Sequence, residues 1–194
     1  MLDTFSINDF IDRIKKIPGI SKKQAEKMVY WILNTEQQEV FLLSNAFKKV
    51  KENVTFCLVC GNAVELSNCN ICNDESRLNT LLIVENVAII DKIEKANIYK
   101  GKYYVFKHYL SDASSLTKYQ NEIDKLINHA KQFSEIILGI SPDLKGEMTN
   151  ILLKNKLEAV GLKTSQLAIG IPLGASLDYI DPLTLKFSLS NRQK

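Results

Sequence analysis

Four cysteines are spaced so that a single metal ion can bind all of them. The pattern is C-x2-C-x8-C-x2-C, and it contains every cysteine of the 194-residue chain. A gap of two residues lets both thiolates of a pair reach one tetrahedral ion at about 2.3 Å. The residue types that follow the two pairs, glycine and asparagine, tolerate positive φ and help a tight turn aim amides at sulfur. The expected ligands are Cys57, Cys60, Cys69 and Cys72.

The kind of metal site follows from the ligand set and from the cellular compartment. Four thiolates leave no open coordination position, so we expect one structural zinc per chain. The first residues, MLDTFSINDF, lack a secretory signal, and no apolar run approaches the roughly 18 residues that cross a bilayer. We therefore expect a cytoplasmic protein with no membrane partner, in which thiols stay reduced. Iron in place of zinc, or four free or disulfide-bonded thiols, are the alternatives.

The composition is that of an ordinary globular protein. Hydrophobic residues make up 45% of the chain and charged residues 24%, with a formal net charge of +3. That charge permits binding to a polyanion without requiring it, since local basic patches matter more than the sum.

The first 53 residues are predicted to be helical. Apolar residues recur at helical spacing in three stretches, and Pro18-Gly19 separates the first two. Ser21 followed by Gln24 predicts a capping box at the start of the second helix, and Thr35 followed by Gln38 predicts one at the third.

The turn between the first two helices, Ile17 to Lys23, resembles the hairpin of helix–hairpin–helix DNA-binding modules. In such modules a glycine turn and a helix N-terminus bind a phosphate. The resemblance implies a DNA contact through the backbone at Gly19 and through Lys22, Lys23 and Lys27. An ordinary helical hairpin packed on its neighbours is the alternative.

Strands and helices alternate beyond the cysteines. Buried strands are expected at 81–85, 102–106, 136–138 and 163–168, with helices between them, which is typical of a parallel sheet. In the tail, Asp181-Pro182 is suited to the first turn of a short helix. We expect an α+β chain of four modules: a helical module at 1–53, a four-cysteine zinc finger at 54–78, an α/β parallel sheet at 79–168 and a tail with a helix at 169–194.

Glu85 follows the first buried strand, at the sheet edge where open α/β folds bind ligands. This arrangement resembles the Toprim domain of topoisomerases and primases, which hold Mg²⁺ with such a glutamate and a later Asp-x-Asp pair. Here the later strand is followed by Gly139 to Asp143, without Asp-x-Asp. Glu85 is thus expected to be a structural or partner-binding carboxylate. No P-loop and no nucleophile elbow are present.

The order of the modules resembles the RecR family of bacterial recombination mediators over nearly the whole chain. The resemblance is carried by the hairpin, the finger, Leu82 to Glu85, Pro142 with Gly146-Glu147, Gly161, and the tail from Gly170 to Leu185. It implies a non-enzymatic, DNA-binding mediator of recombinational repair that acts with RecO, and in some settings RecF, to load RecA at single-stranded gaps. It also implies a homo-oligomer (a dimer or a tetrameric ring) joined through the tail, and partner contact at Glu85 and Glu147 on the Toprim-like face.

Two other functions stay open at this point. The first is a Mg²⁺-dependent nuclease or primase-like enzyme acting through Glu85. The second is a protein-interaction adaptor without DNA contact, which the modest net charge permits.

Overall fold

The computed structural model describes residues 4–192, and the chain divides into two compact units, residues 1–54 and 55–194. The helices are α1 (Phe5–Ile14), α2 (Lys22–Asn34), α3 (Gln37–Asn53), α4 (Asn70–Asn73), α5 (Val87–Ala96), α6 (Ala113–Lys118), α7 (Gln120–Ala130), α8 (Leu144–Glu158) and α9 (Pro182–Ser190). The strands are β1 (Val54–Phe56), β2 (Ala63–Glu65), β3 (Thr80–Val84), β4 (Lys102–Val105), β5 (Glu135–Leu138) and β6 (Thr164–Gln166), and a 3-10 turn covers Leu177–Tyr179.

In the N-terminal unit, α1 and α2 pack through a small apolar core. Its buried members are Ile11, Ala25 and Val29. The capping box predicted at Ser21 is confirmed: the Gln24 backbone N–H donates to Ser21 Oγ, and the Ser21 N–H donates to Gln24 Oε1 at 2.7 Å.

The capping box predicted for the third helix is wrong. Thr35 instead ends α2, where its N–H donates to the Ile32 carbonyl oxygen. Glu36 therefore occupies the N-cap of α3, and its side chain accepts no capping hydrogen bond. All residues of α3 are described, and none of its side chains is buried.

A four-stranded parallel sheet organises the C-terminal unit. Its strand order is β4-β3-β5-β6, with Leu82 of β3 beside Tyr103 on one side and Ile137 on the other. The chain leaves β3 toward one edge and later continues toward the other, so the order reverses between β3 and β5. The carboxyl ends of those two strands are the place where sheets of this kind form ligand-binding crevices.

Each face of the sheet has its own hydrophobic core, because successive side chains of a strand point to opposite faces. Leu81 and Ile83 point to the core formed with α7 and α8. Leu82 and Val84 point to a second core, where they meet Ile90 of α5. The second core also contains finger residues, namely Cys60, Val64, Cys69 and Ile71. The finger is thus part of the packing of the sheet.

The fold class predicted from the sequence is confirmed. The four strands of the parallel sheet begin and end within one or two residues of their predicted positions, whereas β1 and β2 were not predicted. Asp181 caps α9 by accepting from the Leu183 and Thr184 N–H groups. The division into four modules stays a prediction. No helix among the described residues has the length and apolar character needed to span a bilayer.

Candidate metal centre and candidate contact surfaces

The four cysteine thiols lie at the corners of a site that fits one metal ion. Their sulfur atoms are all within 4.8 Å of one another. Two of the sulfur–sulfur distances are 3.9 Å, for Cys57 and Cys72, and 3.6 Å, for Cys60 and Cys69. A tetrahedron with metal–sulfur distances of about 2.3 Å has sulfur–sulfur edges of about 3.8 Å. A disulfide would need about 2.05 Å, so the geometry matches a metal site with four thiolate ligands.

Backbone amides and burial act on the thiols in opposite directions. Burial of Cys57 is outweighed by the N–H groups of Cys60 and Val59, which lower the pKa of Cys57 to about 7. For Cys60, the Cys72 thiol and burial together raise the pKa. Burial also raises the pKa of Cys69. Four thiolates this close repel one another unless a cation lies between them, and a divalent metal supplies that charge.

The finger is tied to the sheet by hydrogen bonds at the backbone of two of the four cysteines. The Val105 N–H, at the end of β4, donates to the Cys60 carbonyl oxygen at 2.8 Å. The Lys102 ammonium donates to the Cys72 carbonyl oxygen at 3.0 Å. Gly61 has φ +77°, and a Cβ there would stand 2.9 Å from Val105 Cβ. The knuckle after Cys60 can therefore lie against β4 only because its turn residue has no side chain.

A half-buried ionic network fixes the segment that leaves the finger. Arg77 donates from Nη1 and Nη2 to the two carboxylate oxygens of Glu94 on α5, at 3.0 and 2.5 Å. The Tyr103 hydroxyl donates to Glu94 at 2.6 Å, and Arg77 also donates to the Gly101 carbonyl oxygen. The guanidinium of Arg77, assisted by the Tyr103 hydroxyl, holds the pKa of Glu94 below its usual value, although burial acts the other way.

The hairpin between α1 and α2 presents open backbone and exposed cations. Gly19 has φ +86°, and apart from its own atoms and those of its two chain neighbours no atom of residues 4–192 lies within 4 Å of the position that a Cβ would take. Lys22, Lys23 and Lys27 are exposed on α2. Lys22 lies 3.9 Å from Glu26, whereas Lys23 and Lys27 lie within 4 Å of no carboxylate among residues 4–192.

The first turn of α2 carries two lysines and no acidic residue. The N-terminus of a helix has positive electrostatic potential, so lysine side chains placed there are repelled by the helix end. A bound anion would be attracted both by the helix end and by the lysines. The four residues that the sequence assigned to DNA contact are thus placed on one continuous stretch of the hairpin and α2.

Glu85 lies at the reversal point of the sheet and is occupied by donors from two loops. Ser141, after β5, donates to Glu85 from Oγ at 2.7 Å and from its N–H at 3.3 Å. The Tyr109 hydroxyl, after β4, donates to it at 3.3 Å. A cavity of about 90 Å³ beside these groups is lined by Glu85, Asn86, Phe106, Lys107, His108, Tyr109 and Ile140. The carboxylate therefore joins two loops at the carboxyl edge.

Glu147, in the first turn of α8, accepts from Gln166 Nε2 on β6 at 2.8 Å. Thr149 and Asn150, which follow Glu147 on α8, are fully buried and form hydrogen bonds with the loops after β4 and β5. Thr149 Oγ1 accepts from the Leu110 N–H at 2.8 Å, and Asn150 Nδ2 donates to the Ile140 carbonyl oxygen at 3.2 Å. Glu85 and Glu147 thus each accept hydrogen bonds from another part of the chain, through separate contacts near the carboxyl end of the sheet.

Sequence reasoning missed most of this network. Ser141, Tyr109, Thr149 and Asn150 act across sequence separations of 10 to 56 residues, and no local pattern marks them. It also missed α6, although Asp112 followed by Ser115 gives that helix a capping box that could have been read.

Comparison with known proteins gives a consistent result. A family model described as "RecR, C-terminal" matches residues 170–193. The chain is 36% identical over 187 residues to recombination protein RecR of Mycoplasmopsis pulmonis, covering 96% of this chain and 97% of that protein. It is 33% identical over 191 residues to RecR of Bifidobacterium adolescentis, with 97% and 96% covered. RecR of Thermobifida fusca is 32% identical over 191 residues, again with 97% and 96% covered. With relatives this similar over almost its entire length, the chain belongs to the RecR family.

Proposed function

We propose that this chain is a non-enzymatic recombination mediator that binds DNA without sequence preference. In this proposal it acts in the cytoplasm with RecO, and in some settings RecF, to load RecA at single-stranded gaps. The observation that carries the proposal is the identity of 33–36%, over 96–97% of the chain, to proteins named recombination protein RecR. A role in recombination follows from the family, and the partners and the DNA contact are inferred from the resemblance and from the surfaces described above.

The hairpin supports the DNA contact. Its open glycine, its helix N-terminus and the three lysines of α2 are groups that bind phosphate oxygens without reading bases. Contacts of this kind give binding that is independent of sequence and weakens steeply with salt.

We infer that the metal is zinc. A set of four thiolates with sulfur–sulfur distances of 3.6 and 3.9 Å suits a closed tetrahedral site, and such sites are structural. Bound zinc would supply the positive charge that holds the finger together. Cys57, Cys60, Cys69 and Cys72 would be its ligands.

Partner binding is assigned to the Toprim-like face around Glu85 and Glu147. Glu85 already accepts hydrogen bonds from three donor groups. We therefore propose that it fixes the loops that form this surface and does not bind Mg²⁺. The enzyme alternative predicts Mg²⁺-dependent cleavage or synthesis of DNA that the substitution Glu85→Gln abolishes. Reduced RecO binding by Glu147→Lys, with no Mg²⁺-dependent activity in the unsubstituted protein, would support the assignment.

Self-association is supported by apolar side chains that the described structure leaves exposed. On α3 these include Phe41, Leu42 and Phe47, which are 55–60% exposed, and in the tail they include Leu173 and Tyr179. Apolar side chains that are exposed as neighbours on one element are typical of interaction surfaces. We infer a homo-oligomer, either a dimer or a tetrameric ring, joined in part through residues 169–194. Sedimentation at micromolar concentration tests it, and a purely monomeric protein would contradict it.

The test of DNA binding is a salt titration of the metal-loaded protein with single-stranded, duplex and gapped DNA. The double substitution Lys22→Glu with Lys23→Glu should weaken binding and reduce the salt slope. The matched control is Lys92→Glu with Lys95→Glu, which changes the net charge equally on α5. Equal behaviour of the two double variants would exclude the hairpin as a DNA contact and favour the adaptor function.

A further inference from the structure

A second group of cations and aromatic rings lies in the C-terminal unit, outside the hairpin. Phe56, at the end of β1, is 54% exposed, and the ammonium of Lys107 stands 3.5 Å from the centre of its ring. Lys107 follows β4 and is itself exposed. The finger and the sheet edge therefore each contribute one member of this cation–π pair, which depends on the attachment of Val105 to Cys60.

The neighbouring residue extends the group along the loop after β4. The His108 ring stacks on the Tyr119 ring with centroids 4.1 Å apart and planes 18° apart, and it also meets Phe106 edge-on. Lys118 places its ammonium 4.9 Å from the Tyr119 ring. Because Lys107 precedes His108 and Lys118 precedes Tyr119, the stacking of these two rings brings the two lysine positions near one another. We name Phe56, Lys107, His108, Lys118 and Tyr119 the basic–aromatic patch.

Neither ammonium group of the patch forms an ion pair with the part of the chain that the structure describes. Among residues 4–192, no carboxylate lies within 4 Å of Lys107 or Lys118, while several other lysines, such as Lys95 with Asp91, form ion pairs. Glu85 lines the same cavity as Lys107, but its carboxylate lies more than 4 Å from the Lys107 ammonium and accepts its hydrogen bonds from Ser141 and Tyr109. The positive charge at the surface is therefore available to an external anion.

We propose that the basic–aromatic patch is a second DNA contact, specific for single strands. Lys107 and Lys118 would each bind a phosphate, and a base would stack on the exposed side of Phe56, while the His108–Tyr119 pair positions the loop. Single-stranded nucleic acid offers phosphates and unstacked bases together, whereas duplex DNA hides its bases inside the helix. An acidic peptide would use the lysines but gain nothing from an exposed aromatic face. This inference rests on the proposed function, because it adds a site to a DNA-binding protein.

The test uses the full, metal-loaded chain and a fluorescent oligothymidylate, with a duplex of equal length beside it. The substitution Phe56→Leu keeps an apolar side chain and removes the ring. It should weaken single-strand binding about tenfold and leave duplex binding unchanged, since base–aromatic stacking contributes about 1–3 kcal/mol per base. Metal content is measured for each variant, because Phe56 adjoins the ligand Cys57.

The lysines are tested by their salt dependence. The double substitution Lys107→Gln with Lys118→Gln should reduce the slope of log K against log salt by about 1.4 on single strands, since each phosphate contact contributes about 0.7. The control is Lys92→Gln with Lys95→Gln. Unchanged affinity and slope in the patch variants would overturn the inference. The inference would also be overturned if the unsubstituted chain bound polyglutamate and the patch variants lost this binding while they kept full affinity for DNA.

The failure of this inference is distinguishable from that of the proposed function. If the unsubstituted chain binds DNA and only the hairpin variant is impaired, the patch is not a DNA contact, but the mediator function stands. If the unsubstituted chain binds no DNA at low salt, the DNA-binding part of the proposed function fails, and the patch inference with it.

Discussion

The ionic network between the finger and the sheet gives a prediction whose size can be worked from the structure. The substitution Glu94→Gln keeps the shape of the side chain but faces the Arg77 guanidinium with an amide. Removing one partner of a fully buried ion pair costs about 3–5 kcal/mol. Here 13% of the Arg77 side chain and 31% of the Glu94 side chain are exposed, so solvent relieves part of that loss and we expect about 2 kcal/mol.

Scanning calorimetry measures the effect. A loss of about 2 kcal/mol should lower the unfolding temperature by about 4–8 °C in a chain of this size. The matched control is Asp91→Asn, which removes the carboxylate of an exposed pair on the same helix and should leave the transition nearly unchanged. If Glu94→Gln behaves like Asp91→Asn, the network does not hold the finger to the sheet.

The same network gives a pH dependence. Because Arg77 lowers the pKa of Glu94, the folded protein keeps this carboxylate ionised at a pH where the unfolded chain has taken up the proton. The stabilisation is fully present above the ordinary glutamate pKa of about 4.3 and is lost as pH falls through the lower folded-state value. The difference in stability between the unsubstituted chain and Glu94→Gln should therefore shrink in acid.

The metal site, the turn at Gly61 and His129 of α7 can each be tested by one substitution. The substitution Cys69→Ser should abolish stoichiometric metal binding. Both this substitution and removal of the metal with a chelator should destabilise the C-terminal unit, because ligation energy is folding energy. Metal analysis with thermal unfolding checks this, and a metal-free protein that melts normally would contradict it. Gly61→Ala should destabilise more than Gly161→Ala in thermal unfolding, since both have positive φ but only at Gly61 would a Cβ meet Val105; equal effects would show that the close approach is unimportant. Burial, with a smaller effect from Lys102, lowers the pKa of His129. Below about pH 6.5 the unfolded chain therefore takes up a proton at His129 before the folded chain does, and the free energy of unfolding should decline as the pH falls. Urea unfolding above and below about pH 6.5 should show a weaker decline in His129→Asn.

The sequence allowed the clustering of the four cysteines and the fold class to be predicted because both depend on local patterns. The two C-x2-C pairs fix which residues can share one ion, and the run Leu81 to Val84 predicts a buried strand from four adjacent residues. The start of α2 was also readable, since Ser21 and Gln24 are three residues apart.

The remaining features depend on residues that only the folded chain brings together. The hydrogen bond between Ser141 and Glu85 joins residues that are 56 positions apart in the sequence. The contact of Phe56 with Lys107 depends on how the finger attaches to β4. The capping box at Thr35 failed as a prediction because Thr35 was needed to end α2, so α3 began one residue later than the pattern indicated. The apolar residues of α3 gave a correct helix, yet their spacing could not tell whether the apolar side would be buried within the unit.

The proposed delivery of RecA to DNA gaps by this chain is tested most directly by the rate of RecA filament formation on gapped DNA. RecA and RecO would be present throughout, with this chain added or omitted, and with Lys22→Glu and Lys23→Glu together as the impaired variant. We expect faster filament formation with the unsubstituted chain, less acceleration with the variant, and no cleavage or synthesis of DNA. An unchanged rate in the presence of the unsubstituted, metal-loaded chain would contradict the account.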